Sequence, residues 1–163
     1  MIKLRPSIEI VRHCCAAPVI GAEIGVLGGG HAVTMLRNFP ELRMLHLIDS
    51  YGGATDQTPL FLEFKARFAS EADRITWHIR TSLEASGEFA DSCLDFVYID
   101  ANHRYFEVAQ DIRAWWPKIK ATGLLCGHDY FSHGSVKQAV DEWAKSNNHY
   151  IFSTAPDWWC FKE

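Results

Sequence analysis

The sequence lacks the features that would assign it to a membrane, secreted or nucleic-acid-binding class. None of its apolar runs approaches the roughly 20 residues of a membrane span. Its net charge of −4 comes without a basic cluster, whereas non-specific nucleic-acid binding requires clustered positive charge. The amino terminus also lacks the charged, apolar and small-residue segments of a signal peptide. We therefore expect a cytoplasmic protein with neither a membrane nor a nucleic-acid partner.

Cysteine is present, but not in the spacing of a disulfide framework or of a thiolate metal site. The five cysteines are an odd number, Cys14 and Cys15 are adjacent, and none belongs to a C-x-x-C pair. Cys126 and Cys160 fall within predicted strands. Because disulfide frameworks and structural zinc sites need cysteines at suitable spacings, the sequence argues against both.

Apolar runs of strand length alternate with segments of helical periodicity, which predicts an α/β fold with a parallel sheet and helices on both faces. The 163 residues suit a single domain over residues 1–163. A polar, glycine-bearing stretch at 51–59 predicts a loop over the sheet edge. We predict strands at 19–26, 43–48, 75–79, 94–99 and 123–126, helices at 6–15, from the glycine turn to about 40, at 60–68, 104–116 and 135–146, and a closing antiparallel hairpin from 149–153 and 158–161.

The segment LDFVYIDANHRY, residues 94–105, predicts the position of the functional site. Its apolar half is typical of a strand buried on both faces of a parallel sheet. Asp100 and His103 follow this strand, and ligands of open α/β sheets bind beyond the carboxyl ends of the strands. We therefore place the catalytic residues Asp100 and His103 here and interpret His103 as a general base.

The stretch GVLGGGHA, residues 25–32, is a glycine-rich turn between a strand and a helix. Backbone amides at such a helix start can approach a ligand closely, because glycine has no Cβ. Asp49 ends the next strand, 24 residues after Gly25 (49 − 25), near the spacing of an acidic residue that binds ribose hydroxyls. Together these features favour a nucleoside site over a role of Asp49 in a turn or cap alone.

Thr81 and Ser82 follow the third predicted strand. In doubly wound nucleoside sites the turn at this place commonly flanks the adenine. The same two residues are equally typical of a helix N-cap, so both interpretations stay open.

A second acidic residue, Asp129, follows the fifth predicted strand. If that strand neighbours the one ending at Asp100, the two carboxylates lie about 5 Å apart before side-chain reach is added, close enough to hold Mg²⁺ together. His128 adds an imidazole, which suits Mn²⁺, Fe²⁺ or Zn²⁺ better, so the identity of the metal stays open. The alternatives are that both aspartates cap the helices that follow them and that His128 bonds to the backbone.

The segments AEIGVLGGG, LHLIDS, LDFVYIDANHRY and GLLCGHDY, in this order, resemble the class I S-adenosylmethionine-dependent methyltransferases. More narrowly, they resemble a small O-methyltransferase branch with ID-x-x-H and GHDY motifs. His31 departs from that branch, in which many relatives carry a small hydroxyl residue after the glycines. The resemblance implies a Rossmann-like, doubly wound, seven-stranded sheet that is mostly parallel, with a reversed last strand in the terminal hairpin. It also implies that S-adenosylmethionine is bound by Glu23, Gly25, Gly28, Gly29, Asp49, Ser50, Thr81, Ser82 and Asp100.

Three functions remain open on the sequence. The first is S-adenosylmethionine-dependent O-methylation of a small-molecule hydroxyl, in a sugar or a natural-product intermediate, assisted by a divalent cation such as Mg²⁺ or Mn²⁺. The second is an NAD-dependent dehydrogenase, although this predicts G-x-G-x-x-G and the chain has Gly28, Gly30 and then Val33. The third is a nucleoside-cofactor-binding protein without catalysis. The short segment before the first strand predicts an open acceptor cleft, or one covered by a second copy of the chain in a homo-oligomer or by a partner.

Overall fold

The apolar runs predicted as strands join into one seven-stranded sheet. The computed structural model describes residues 3–52 and 59–163 of the chain. The strands are β1 (Val19–Ile24), β2 (Leu42–Ile48), β3 (Ile75–His78), β4 (Leu94–Ile99), β5 (Ile119–Gly127), β6 (Phe152–Thr154) and β7 (Asp157–Phe161). Their order across the sheet is β3-β2-β1-β4-β5-β7-β6.

Among the seven described strands, only those of the terminal hairpin depart from the parallel arrangement. β1 pairs in parallel with β2 and β4, β2 with β3, and β4 with β5. β7 runs antiparallel to both β5 and β6. The predicted Rossmann-like sheet, mostly parallel with a reversed strand in a closing hairpin, is therefore confirmed. The strand order reverses between β1 and β4, and a ligand crevice is expected at such a switch point.

Helices cover both faces of the sheet, as alternating strand and helix units require. They are α1 (Pro6–Cys14), α2 (Gly30–Asn38), α3 (Pro59–Arg67), α4 (Ser82–Ser86), α5 (Tyr105–Trp115) and α6 (Gly134–Ser146). Phe96 and Tyr98 of β4 pack in one core with α1 and α2, while Val97 and Ile99 pack in the other with α5 and α6. β4 is buried along its whole length, which explains its nearly unbroken apolar run.

Among the parallel strands, two ends differ from the predictions by more than one residue. β1 ends at Ile24 rather than at 26, because Gly25 turns the chain with a φ of +87°. A Cβ on Gly25 would lie 2.3 Å from the Asp100 carbonyl oxygen, so the turn after β1 packs directly on the turn after β4. β5 begins at 119 rather than at 123. The prediction missed its first half because the polar residues Lys120 and Thr122 interrupt the apolar pattern there.

The remaining differences lie at the edges of the fold. The run predicted at 149–153 forms a strand only from Phe152 onward, and this strand is exposed along its length. Of the predicted loop at 51–59, residues 53–58 lie outside the described part of the chain. Within the described ranges, no helix combines the length and apolar character needed to cross a bilayer.

Candidate active site

The carboxyl ends of β1 to β4 open into one large cavity. Its volume is about 1070 Å³, at the upper end of ordinary small-molecule sites. Gly29 is not on its wall: a Cβ on this residue would lie 2.5 Å from the Phe68 ring, so Gly29 serves the packing of the turn. The cavity is lined by the other residues predicted to bind the cofactor and by the predicted base, namely Glu23, Gly25, Gly28, Asp49, Ser50, Thr81, Ser82, Asp100 and His103.

Two neighbouring buried polar atoms, one on Glu23 and one on His31, lack a hydrogen-bond partner among the described residues. Glu23 is 1% exposed at the end of β1, and its Oε1 lies 3.0 Å from His31 Nδ1. The other atoms of the pair, Glu23 Oε2 and His31 Nε2, make no hydrogen bond. Because an unpaired buried polar atom costs about 1–3 kcal/mol, this part of the wall favours a ligand that hydrogen-bonds to it.

Asp49 holds the glycine turn through backbone hydrogen bonds. Its Oδ2 accepts from the N–H groups of Val26 and Leu27, both at 2.9 Å, and its Oδ1 accepts from the N–H of Tyr51 at 2.7 Å. Oδ1 accepts only one N–H and keeps a further lone pair, and Asp49 also lines the cavity. The turn-supporting role is therefore present, and the ribose contact stays a prediction that the geometry allows.

The turn after β3 is a helix cap and part of the cavity wall at once. Thr81 is the N-cap of α4, where Glu84 completes a capping box, so the N-cap interpretation is confirmed. Ser82 Oγ accepts a hydrogen bond from Trp115 Nε1 at 2.9 Å. Asp111 of α5 lines the same end of the cavity, and burial raises the pKa of its carboxyl to about 6 against the opposing hydrogen bond from Ser82. Contact of Thr81 and Ser82 with an adenine stays a prediction.

Asp100, His128 and Asp129 converge where β4 and β5 end. His128 Nδ1 lies 3.8 Å from Asp100 Oδ1 and 3.1 Å from Asp129 Oδ2. One ligand atom from each of the three residues lies within 4.8 Å of the others, a spacing that one cation can bridge. His128 and Asp129 border a small cavity beside the large one, and Asp100 and His103 border both.

Neither aspartate caps the helix that follows it, so that alternative is wrong. The N-cap residues of α5 and α6 are Arg104 and His133. Asp129 instead has a left-handed φ of 62° and accepts a hydrogen bond from Ser132 Oγ at 2.5 Å. Burial favours the neutral carboxyl, but the hydrogen bonds from Ser132 and His128 and the nearby imidazole charge hold the pKa of Asp129 well below its usual range. Asp129 is therefore an anion at neutral pH.

His103 lies between this carboxylate and the large cavity. Its Nε2 is 2.7 Å from Asp129 Oδ2, shielded from solvent and without an aligned hydrogen bond to any described residue. Its backbone carbonyl accepts a hydrogen bond from Ser135 Oγ at 2.5 Å, which ties the loop to α6. Asn102 Oδ1 accepts from the Arg104 N–H at 3.0 Å and so supports the same loop. The loop is held at both ends, while the imidazole faces the site.

One family model covers most of this structure. It is described as a methyltransferase domain and matches residues 22–130. The chain belongs to this methyltransferase family. The matched segment of the methyltransferase runs from β1 to the turn after β5, so it contains Glu23, the glycine turn, Asp49, Asp100 and Asp129. No curated protein sequence matches the chain.

Solved structures share the fold of this methyltransferase at low sequence identity. SMU.1697c from Streptococcus mutans, described as a candidate methyltransferase in complex with SAH, aligns with a TM-score of 0.72 and 12% identity over 100% of both chains. The O-methyltransferase NovP aligns with a TM-score of 0.69 and 16% identity over 96% of this chain and 79% of its own. An rRNA methylase from Streptococcus thermophilus aligns with a TM-score of 0.69 and 12% identity over 99% and 96%. The likeness establishes the fold, and the fold alone does not select the acceptor.

Arg5 of the methyltransferase lines the large cavity, and the sequence analysis missed it. Arg5 Nη1 donates hydrogen bonds to Tyr98 Oη at 2.5 Å and to Asp100 Oδ2 at 2.9 Å. Burial opposes the guanidinium charge, but these two partners more than compensate and raise the pKa of Arg5 above its ordinary value. The only local signal was Pro6, which starts α1 and makes Arg5 its N-cap.

His133 is the second site residue that sequence reasoning missed. Its ring stacks on His103 with centroids 4.2 Å apart and an angle of 14° between the ring planes. Its Nδ1 lies 3.3 Å from Asp129 Oδ1. The spacing of four residues between Asp129 and His133 was an available signal, because such a pair can meet across one turn of backbone.

Proposed function

We propose that the chain is an S-adenosylmethionine-dependent O-methyltransferase that acts on a hydroxyl of a small molecule, such as a sugar or a natural-product intermediate, with help from a divalent cation. Family membership and the fold it shares with NovP and with the SAH complex of SMU.1697c support this. The observation that carries the proposal is that Asp100 and His103 line the same cavity as Glu23 and Asp49. A predicted reaction centre and a predicted cofactor site therefore share one wall.

The cavity wall fits the amino-acid and ribose ends of S-adenosylmethionine. The unpaired Glu23 Oε2 is a buried acceptor that suits an ammonium donor, and His31 Nε2 beside it suits a carboxylate when it carries a proton. Asp49 Oδ1 keeps a lone pair for a ribose hydroxyl, next to the amides of the glycine turn that Oδ2 accepts from. Bound there, S-adenosylmethionine supplies an electrophilic methyl group.

The residues that would hold a divalent cation are Asp100, His128 and Asp129. Two carboxylates and one imidazole suit Mn²⁺ at least as well as Mg²⁺, which prefers an all-oxygen set. Asp129 is suited to this role because it stays ionised at neutral pH. Such a cation supplies Lewis-acid polarisation of an acceptor hydroxyl.

His103 is the residue in a position to remove the proton of the acceptor hydroxyl. It borders the cavity next to Asp100, and the Asp129 carboxylate lies 2.7 Å from its Nε2. An adjacent carboxylate stabilises the imidazolium that forms when His103 takes the proton. General-base catalysis of this kind contributes about 10²- to 10⁴-fold to a rate, and we expect a loss of this order in His103→Gln.

Calorimetric titration with S-adenosylhomocysteine and with NAD tests the proposal. Each ligand is titrated with and without Mn²⁺ into the native chain, Asp49→Ala, and Asp73→Ala, which removes an exposed aspartate outside the cavity wall. We expect S-adenosylhomocysteine to bind with a dissociation constant on the order of micromolar, and we expect Asp49→Ala alone to weaken it. Asp49→Asn, which keeps the side-chain volume, is a second variant in case Asp49→Ala disrupts the glycine turn.

Binding of NAD without binding of S-adenosylhomocysteine would overturn the proposal in favour of a dehydrogenase. If S-adenosylhomocysteine binds, methyl transfer to a panel of hydroxylated acceptors follows, with His103→Gln as the comparison. Equal rates of methyl transfer by His103→Gln and by the native chain would show that His103 is not the general base.

A further inference from the structure

Asp129 belongs to two sets of side chains that could bind a metal ion. The proposed function uses only the first set as a metal site. The first set is Asp100, His128 and Asp129. The second is His103, Asp129 and His133, and its ligand atoms also lie within 4.8 Å of one another. We propose that the second set binds a transition-metal cation of the Zn²⁺ class and that this cation, by holding His103, switches methyl transfer off. The switching rests on the proposed role of His103 as a base, whereas the binding site does not.

The distances in the second set are those of neighbouring ligands on one cation. Asp129 presents a different oxygen to each imidazole: Oδ2 is 2.7 Å from His103 Nε2, and Oδ1 is 3.3 Å from His133 Nδ1. Ligand atoms that each lie about 2.1 Å from one cation are roughly 3.0 to 3.4 Å apart when adjacent, in octahedral and tetrahedral geometry respectively. The three side chains therefore need little rearrangement to share an ion.

The orientation of His103 supports a shared ion rather than a simple ion pair. Its Nε2 is shielded from solvent and close to the carboxylate, yet it is not aligned for a hydrogen bond with any described residue. Within the described chain, Nε2 therefore has no hydrogen-bond partner in the ring plane, along the direction of its N–H bond or lone pair. A cation beside Asp129 would supply that partner.

The two rings can converge on such a cation without disturbing the core. They stack at 4.2 Å with nearly parallel planes, and the side chains of His103 and His133 are 41% and 44% exposed. Rotation of an exposed imidazole about its side-chain torsions meets little resistance, because few packing contacts are lost. His133 can therefore turn its Nδ1 toward the position shared by Asp129 and His103.

The donor set selects the class of cation. Two imidazole nitrogens and one carboxylate oxygen are ligands that Zn²⁺ and Co²⁺ accept readily, whereas Mg²⁺ prefers oxygen ligands. Ser132 Oγ donates a hydrogen bond to Asp129 Oδ1 and so orients the shared carboxylate. A zinc-class ion on this set would occupy the nitrogen lone pair of His103. The proposed base needs that lone pair to take the proton of the acceptor hydroxyl.

Co²⁺ titration, followed by visible absorption, tests the site without cofactor or acceptor. The proteins are the native chain, His133→Gln, which changes only the second set, Asp100→Asn, which changes only the first, and His13→Gln, which removes an exposed histidine outside both sets. We expect His133→Gln to lower the affinity of the tighter Co²⁺ site at least tenfold, and we expect Asp100→Asn and His13→Gln to leave the affinity of that site near the native value. Zn²⁺ should displace Co²⁺ from the native chain.

Several outcomes would overturn the site. Co²⁺ binding that is unchanged in His133→Gln, or that is lost in Asp100→Asn but kept in His133→Gln, would place the ion elsewhere. So would thiolate-to-cobalt charge-transfer absorption, which would point to the neighbouring thiols Cys14 and Cys15. His133 is the N-cap of α6, so a thermal melt of each variant accompanies the titrations, and His133→Ala repeats the measurement with a second side chain.

The switching is measured separately, as the rate with Zn²⁺ divided by the rate without it for each protein. We expect this ratio to fall well below one for the native chain and to stay closer to one for His133→Gln. Equal inhibition of both proteins would overturn the switch. Because the Co²⁺ titration needs neither S-adenosylmethionine nor an acceptor, a failure of the proposed methylation and a failure of the metal site give different results.

Discussion

Arg5 Nη1 lies 2.9 Å from Asp100 Oδ2, although 95 residues separate them along the chain. The contact brings the start of α1 to the carboxyl end of β4, where the proposed reaction centre lies. The same nitrogen donates to Tyr98 Oη, which in turn donates to the buried Asp157 at 2.9 Å. One arginine therefore sets the charge next to the proposed cation site and also joins a buried network beneath it.

Replacing Arg5 with glutamine should tighten divalent-cation binding at Asp100. The guanidinium and a cation at this carboxylate repel each other. The repulsion between two unit charges about 4 Å apart is at least ~1 kcal/mol even in water, which corresponds to about fivefold in affinity. Calorimetric titration with Mn²⁺ measures the effect. Arg12→Gln is the matched control, because Arg12 lies on α1 outside the cavity and pairs with Glu9 and Glu41. Unchanged or weaker binding in Arg5→Gln would show that no cation binds beside Asp100.

The buried network around Asp157 should contribute measurably to folding stability. Asp157 is fully buried, and its Oδ2 accepts from Ser7 Oγ at 2.6 Å and from the Ser7 N–H at 3.1 Å. A hydrogen bond to a charged group is worth about 1.5–3 kcal/mol, so Ser7→Ala should lower the free energy of unfolding by that amount in urea. The exposed Ser70→Ala should change it little.

A double-mutant cycle separates this network from simple loss of packing. Tyr98→Phe removes the second hydroxyl that donates to Asp157. Because Ser7 and Tyr98 donate to the two oxygens of one carboxylate, we expect the two substitutions to be non-additive by about 0.5 kcal/mol or more. Additive losses would mean that the two hydroxyls act independently.

The carboxyl edge of the sheet was predictable because each of its residues carries a local signal. Asp49, Asp100 and Asp129 each end or follow an apolar run, and parallel strands bring those ends to one edge. The order β1-β4-β5 then places Asp100 beside His128 and Asp129. The order of the strands therefore determines which of the residues at strand ends meet at the site.

Contacts made by flanking segments were not predictable in this way. Arg5 precedes the first strand, and no periodicity relates it to Asp100. The pairing of His31 with Glu23 also escaped, because a histidine on a helix is individually unremarkable until the strand beside it is known to end in a buried carboxylate. Both contacts depend on the angle at which a helix meets the sheet, which packing decides and local pattern does not.

Asp111→Asn should stabilise the fold above neutral pH. Burial raises the pKa of the Asp111 carboxyl from 3.8 to about 6, so between these values the native state binds more protons than the unfolded state. The free energy of unfolding therefore falls as pH rises through this window, by up to about 3 kcal/mol. The asparagine variant should be more stable than the native chain at pH 8 and similar to it at pH 4. Asp73→Asn, at an exposed position, is the control, and equal pH profiles for native and Asp111→Asn chains would contradict the prediction.

His46 should produce the opposite pH dependence. Burial, with a smaller contribution from the charge of His78, lowers the pKa of His46 from 6.5 to about 4. In this window the unfolded state binds more protons, so stability is present above pH 6.5 and is lost as pH falls toward 4. The ring is only half-buried, and solvent screening reduces the expected loss to the order of 1–2 kcal/mol. The glutamine of His46→Gln cannot titrate. Urea unfolding at pH 7 and at pH 4.5 should therefore show a smaller loss of unfolding free energy at acid pH in this variant than in the native chain. His13→Gln, on an exposed surface, should keep the native acid loss, and an identical loss in His46→Gln would assign it to other groups.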